Sequence, residues 1–308
     1  MPDSRTYHYL DPEALSRLKN LSLAARLVVE GCFSGMHRSP YRGFSIEFAE
    51  HRQYTPGVDP RHIDWRVFGR RDKLYVKQYE EETNLRCYLL LDKSASMGYK
   101  HGSALTKLEY ASFMAASLAY LMILQQDAVG LISCDTGVVR HVPPRQGHGH
   151  LRVLLEQLEG IQPGGETSLS DTFHQLAETI KRRALVIVLS DLFDDPSAVV
   201  KALRHFRHRK HEVIVFHVLD PAEISFPFEN ISAIEDMENR REVTGDPQAF
   251  RKQYLAKMER FLGAVRGGCQ EAQIDYNLAT TQNRFDTFLG AYLARRNQLG
   301  SRAVNASC

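Results

Sequence analysis

Asp92-Lys93-Ser94-Ala95-Ser96 follows directly on the apolar run Leu89-Leu90-Leu91. One carboxylate and two hydroxyls at alternate positions are hard oxygen donors. That is the kind of set Mg²⁺ or Mn²⁺ accepts in an octahedral shell completed by water. Alone, the string also describes the start of a helix, where Asp and Ser side chains accept hydrogen bonds from free N–H groups. Two other stretches set it apart. Gly164-Gly165-Glu166-Thr167 stands just before a helical pattern, and Ser190-Asp191 closes a second apolar run at 184–189. If both runs are strands of one sheet, Asp92, Ser94, Ser96, Thr167 and Asp191 gather at a single edge, the edge where open α/β sheets bind ligands.

The elements that must position these residues are legible from residue 85 onward. Near-continuous apolar runs at 85–91, 128–133, 184–189 and 213–219 alternate with helical patterns at 105–125, 151–158, 169–181 and 198–206. Strands apolar on both faces belong to a parallel sheet covered by helices. Their alternation with helices predicts an α/β fold, doubly wound and mostly parallel. A short edge strand is expected at 138–142, a strand or hairpin at 231–243, and a charged amphipathic helix at 250–266. A last strand is expected at 274–278 and a final helix at 286–295. Asp92, at a strand end, is expected to face solvent.

Residues 1–83 read as an N-terminal helical and β extension. Leu15, Leu18, Leu21, Leu27 and Val28 recur at helical spacing within 12–30. Strands are expected around Phe44, Ile46 and Phe48 and at 73–78, with a charged, turn-rich segment at 54–65 between them. The expected organisation is therefore 1–83 extension, 84–295 α/β domain and 296–308 C-terminal tail.

The ordered set Asp92-x-Ser94-x-Ser96, Thr167, Asp191 on this strand pattern resembles the metal-ion-dependent adhesion site of von Willebrand factor A domains and integrin inserted domains, over residues 84–295. The resemblance implies that the strands ending at Asp92 and Asp191 lie side by side at the centre of the sheet. It also implies that Ser94 and Ser96 ligate Mg²⁺ or Mn²⁺ directly, Thr167 directly or through water, and Asp92 and Asp191 mainly through waters. An Asp or Glu carboxylate of a protein partner would fill the open position. Upstream, Tyr54-x-Pro-Gly-Val-Asp-Pro-Arg-x-Ile-Asp-Trp65 and Val76-x-Gln-Tyr-Glu-Glu-Glu82 resemble the bacterial "domain of unknown function 58" family, which usually carries Asp where this chain has Val58. That likeness implies a MoxR-type AAA+ ATPase, or its client, as partner. The segment itself reads as a capping subdomain or as a partner surface.

The remaining signals narrow the function classes. The 308 residues carry 39 basic and 37 acidic side chains, a net charge of +2, which gives no general attraction to nucleic acid. The basic runs at 181–183 and 204–210 lack interleaved aromatics and read as solvated helix ends. Five widely spaced cysteines form no CxxC pair, as in a reducing compartment. Residues 1–11 hold no apolar signal core, and the apolar stretch at 111–124 falls short of the roughly 20 residues of a membrane span, so a cytoplasmic protein without a transmembrane segment is expected. His141, His148 and His150 lack a third ligand at metal-site spacing. Ser94 is not in a nucleophile elbow, and no phosphate-binding Walker loop is present. The reading is a metal-dependent protein-interaction module, not an enzyme. The alternative is a metal-dependent phosphoester hydrolase, which would want a nucleophile or a second metal.

Overall fold

The computed structural model describes residues 46–53, 65–71, 74–81, 85–165, 168–228, 233–235, 242–244 and 247–305. The helix expected within 12–30, most of the segment at 54–65, and Thr167 lie outside the described residues. The chain divides into two compact units, Met36–Asn84 and the remainder. In the smaller unit, β1 (Ile46–Gln53) pairs antiparallel with β2 (Tyr75–Glu81), with an irregularity between Phe48 and Glu50. A short helix, α1 (Trp65–Arg71), separates them in sequence, and its Trp65 and Phe68 rings meet edge to face at 6.2 Å.

The larger unit is built on a six-stranded sheet. Its strands are β3 (Arg86–Asp92), β4 (Ala128–Cys134), β5 (Val138–Arg145), β6 (Leu185–Ser190), β7 (Glu212–Leu219) and, after a small hairpin of β8 (Ala233–Glu235) and β9 (Glu242–Thr244), β10 (Asp275–Thr280). The order across the sheet is β10-β7-β6-β3-β4-β5, all parallel except the antiparallel edge β5. This is the doubly wound, mostly parallel architecture expected from the alternating pattern.

The apolar runs are continuous because β3, β4, β6 and β7 are buried on both sides. Leu89, Leu91, Ile187 and Phe216 join one core, while Leu90, Val186, Val188 and Val215 join the other. The first core is covered by α2 (Lys107–Leu124), α3 (His148–Glu159) and the final helix α8 (Phe285–Asn305), through residues such as Met114, Leu155 and Leu289. The second is covered by α4 (Leu169–Thr179), α5 (Pro196–His208) and α7 (Pro247–Glu271), through Phe173, Leu203 and Val265. Each buried Leu or Phe contributes about 1.5–3 kcal/mol, so the two cores together fix the strand register that aims the loops at the site. Among the described residues α2 is the helix long and apolar enough to cross a membrane, and 83% of it is buried inside the fold.

Edge strand β5 is held close to β4 by Gly130. A Cβ there would meet the Val142 carbonyl oxygen at 2.7 Å and the Pro144 nitrogen at 2.9 Å, both backbone atoms that cannot yield cheaply. Pro143 and Pro144 sit on the edge strand, opposite Gly130 where the β4–β5 register is irregular, a position that tolerates a missing N–H.

Most elements fall within a few residues of their expected bounds. The final helix is the largest departure. It continues to Asn305, through the region expected to be a tail, because 296–305 contains no proline and is rich in residues that tolerate a helix. Three short elements were not anticipated: α1, a turn of 3₁₀ helix at Ala95–Gly98, and α6 (Pro221–Ser225). The signal for α6 was present. Asp220 caps it, Pro221 takes its first position and Glu223 completes a capping box, but five residues are too few to show a helical period.

Candidate metal centre

β3 and β6 pair in parallel from Cys87↔Leu185 to Leu91↔Leu189, so their C-terminal ends deliver Asp92 and Ser190-Asp191 to neighbouring points. From these central strands the chain winds outward in opposite directions, to β4 on one side and β7 on the other. Such a reversal is where open α/β sheets bind ligands, and Asp92, Ser94, Ser96 and Asp191 gather there.

Asp92 Oδ1 accepts from Ser94 N at 2.9 Å, and Oδ2 accepts from Ser190 Oγ at 2.6 Å. Ser190 Oγ in turn accepts from Leu192 N at 2.8 Å. The 3₁₀ turn after Ser94, closed by Met97 N→Ser94 O and Tyr99 N→Ser96 O, folds Ser96 back on Ser94. Their hydroxyl oxygens stand 3.1 Å apart. The glycine loop is tied to the same turn: Gly164 N donates to Lys93 O at 2.9 Å, and Ala95 N donates to Gly165 O at 3.1 Å. Gly165 has φ +85°, a conformation that favours glycine, and a Cβ there would crowd the Asp135 carboxylate, with Oδ2 2.8 Å away. Asp135 is held in place by Lys93 at 2.7 Å. The loop leading to Thr167 is thereby anchored beside Asp92 and the two serines.

The sequence reading placed Asp92 facing solvent. The structure corrects this: Asp92 is 1% exposed and Asp191 is 0% exposed. Burial, and next the charge of Asp191, push the Asp92 carboxyl up to about 7, against the hydrogen bonds from Ser190 and Ser94 that favour its anion. A buried carboxylate pair of this kind is a place where a cation is electrostatically favoured.

One cation is already there. Lys107, 0% exposed in the first turn of α2, donates to Asp191 Oδ2 at 2.7 Å and to Glu223 Oε1 at 2.5 Å. Burial alone would lower its pKa, but the charges of Asp191 and Glu223 prevail and hold it above its usual value. Glu223 is raised to about 7 by burial, with Lys107 pulling the other way. His217 contacts the backbone of Asp191. Its Nε2 lies 2.7 Å from the Asp191 carbonyl oxygen, which can only accept, so Nε2 carries the proton and Nδ1 accepts from Tyr276 OH at 2.8 Å. Burial lowers the His217 pKa to about 4 and keeps the ring neutral.

Sequence reasoning missed Lys107, Glu223 and His217. Lys107 did leave a trace. A cation in the first turn opposes the helix dipole, and it opens a helix that is otherwise almost wholly apolar. His217 sits inside an apolar strand with nothing in its sequence neighbourhood to mark it. Of the other histidines, His150 Nε2 lies 2.7 Å from the Val129 carbonyl oxygen, and His141 packs near the Tyr88 ring at 6.2 Å.

The donor set fits a hard divalent ion. Adjacent ligands of an octahedral Mg²⁺ at about 2.0–2.1 Å lie about 2.9 Å apart, close to the 3.1 Å between Ser94 Oγ and Ser96 Oγ. Among the described residues no three His, Cys, Asp or Glu side chains form a cage; this centre is made of two hydroxyls backed by two carboxylates.

A family model described as "Protein of unknown function DUF58" matches residues 50–261. The chain belongs to the DUF58 family. The match runs from β1 through the whole candidate centre and into α7. Proteins similar to this DUF58 chain include the uncharacterized protein Rv1480 of Mycobacterium tuberculosis and the uncharacterized protein Mb1516 of Mycobacterium bovis. Each is 29% identical over 243 residues, covering 77% of this chain and 75% of the relative. Among solved structures, the conserved hypothetical protein BatB from Bacteroides thetaiotaomicron has a TM-score of 0.45 at 16% identity, over 70% of this chain and 99% of that one. The SpRpn10 VWA domain has a TM-score of 0.39 at 12% identity, over 67% of this chain and 94% of that one. The α/β class of this DUF58 chain rests on its own strand order.

Proposed function

We propose that this DUF58 chain is a binding module that holds a partner protein through one divalent cation, Mg²⁺ or Mn²⁺, at Asp92, Ser94, Ser96, Thr167 and Asp191. The observation that carries this reading is the pairing of two buried carboxylates with two hydroxyls 3.1 Å apart at the switch point of the sheet. Ser94 and Ser96 would ligate the ion and the carboxylates would orient its waters, leaving a position for an Asp or Glu of the partner. The ion supplies a concentrated positive charge to which a carboxylate binds in a site partly shielded from water.

Hydrolysis of phosphate esters is the weaker reading. Ser94 Oγ shares a hydrogen bond with Ser96 Oγ and reaches the Asp92 carboxylate, and among the described residues no histidine is paired with it. His217 is fully buried and engaged with the Asp191 carbonyl and Tyr276. The partner implied by the sequence resemblance is a cytoplasmic MoxR-type AAA+ ATPase, or a client presented to it, with the chain acting as adaptor in assembly or remodelling.

Co-purification with the host's MoxR-type ATPase, with Mg²⁺ or with chelator, tests the proposal. Recovery in Mg²⁺ that disappears in chelator, and in Ser94→Ala/Ser96→Ala, is expected. Equal recovery in both conditions would move the contact away from the metal centre, and the segment at 54–82 would become the surface to test. Turnover of a generic phosphoester with Mn²⁺ that is lost in Asp92→Asn would favour the hydrolase instead.

A further inference from the structure

Three acidic side chains, Asp92, Asp191 and Glu223, lie on or around the candidate centre, and Lys107 is the cation that contacts any of them among the described residues. Lys93, the chain neighbour of Asp92, is turned away to Asp135. Lys107 sits where a lysine is unfavourable on two counts. It is fully buried, and it occupies the helix end whose dipole repels a cation. Its ammonium lies 4.7 Å from the Phe193 ring centroid and 5.9 Å from that of Tyr99, which line the pocket with aromatic faces. The two ion pairs are the main compensation for that placement. Asp191 gives Oδ2 to Lys107 and keeps Oδ1 for Phe193 N at 3.3 Å, so the lysine also fixes the orientation of this carboxylate.

We propose that Lys107 is a resident counter-cation of the centre: it holds Asp191 and Glu223 together in the metal-free protein, so that a divalent ion is loaded and released without unfolding the domain. The second half rests on the metal-binding reading above; the first half does not. Without such a charge, a site of this kind would depend on its metal for folding, as structural metal sites do. With it, the fold is independent of metal, and the ion is free to come and go with the partner.

The test is Lys107→Met, an unbranched apolar chain of similar length, on the full chain. Thermal unfolding is followed in chelator and in Mg²⁺ or Mn²⁺, beside Mn²⁺ binding to the unaltered protein by paramagnetic resonance. The unaltered protein should melt within a few degrees of the same temperature in both conditions. Lys107→Met should melt lower in chelator by roughly 6–15 °C, the effect of stranding a buried carboxylate, and should recover much of that loss with metal. Lys107→Met/Asp191→Asn, which removes the more deeply buried of the two stranded carboxylates, should recover part of that stability in chelator. If the unaltered protein binds no Mn²⁺, the metal reading fails and the double variant alone decides the counter-cation role. A Lys107→Met protein that melts normally in chelator would overturn the proposal. So would a double variant as unstable as the single one, because the loss would then be one of packing rather than charge.

Discussion

Asp191→Ala is expected to lower the stability of the isolated domain by about 3 kcal/mol and its melting temperature in chelator by roughly 6–12 °C. From sequence, this substitution should weaken partner binding and leave the isolated protein soluble and monomeric. The structure gives the carboxylate a second role. Asp191 is fully buried and is one of two carboxylates holding the Lys107 ammonium, at 2.7 Å. Its removal leaves a buried lysine with Glu223 alone and the Phe193 N–H without its acceptor. Breaking a buried ion pair from one side costs more than the pair contributes, because the remaining charge is left without compensation. The loss falls at the low end of the usual range, since Glu223 remains and the repulsion between Asp191 and Asp92 disappears. Thermal denaturation in chelator measures it. A melting temperature equal to that of the unaltered protein would mean that Lys107 does not depend on Asp191.

Asp92→Asn should behave in the opposite way: full stability in chelator, but Mn²⁺ affinity reduced about 10–100-fold, the usual consequence of losing a carboxylate that orients metal ligands. The amide keeps the shape of the side chain and still presents an oxygen to Ser94 N, the contact now made at 2.9 Å. Ser190 Oγ can rotate to accept where it now donates. The charge that burial and Asp191 make unfavourable is gone, so the melting temperature in chelator should stay level or rise. The two variants therefore separate the roles of the carboxylates: Asp92 serves the ion, whereas Asp191 serves both the ion and the fold. A marked drop in the melting temperature of Asp92→Asn would make Asp92 structural as well.

The contrast also shows what a sequence can and cannot reveal. The sheet was legible because strands such as Leu185–Ser190 are buried on both faces and leave an uninterrupted apolar run. The convergence of Asp92, Ser94, Ser96 and Asp191 was legible because strand ends are also the ends of apolar runs. Burial of the carboxylates was not, since a residue at a strand end can turn outward or be roofed over. Here the 3₁₀ turn at Ala95–Gly98 and the tethered glycine loop provide the roof. Lys107 was hidden because its partners lie far along the chain, on β6's end and on the short α6. Ion pairs across such separations leave no periodicity, and α6 is too short to produce one.

The most direct test of the central claim is a Mn²⁺ titration of the full chain, read by paramagnetic resonance, beside the same titration of Ser94→Ala/Ser96→Ala. The account predicts weak binding of a single ion that keeps part of its water shell. It predicts an affinity at least about 100-fold lower in the double variant, with the two proteins melting at similar temperatures in chelator. Binding of equal strength in both proteins, no binding at millimolar Mn²⁺, or tight zinc binding indifferent to the two serines would contradict it.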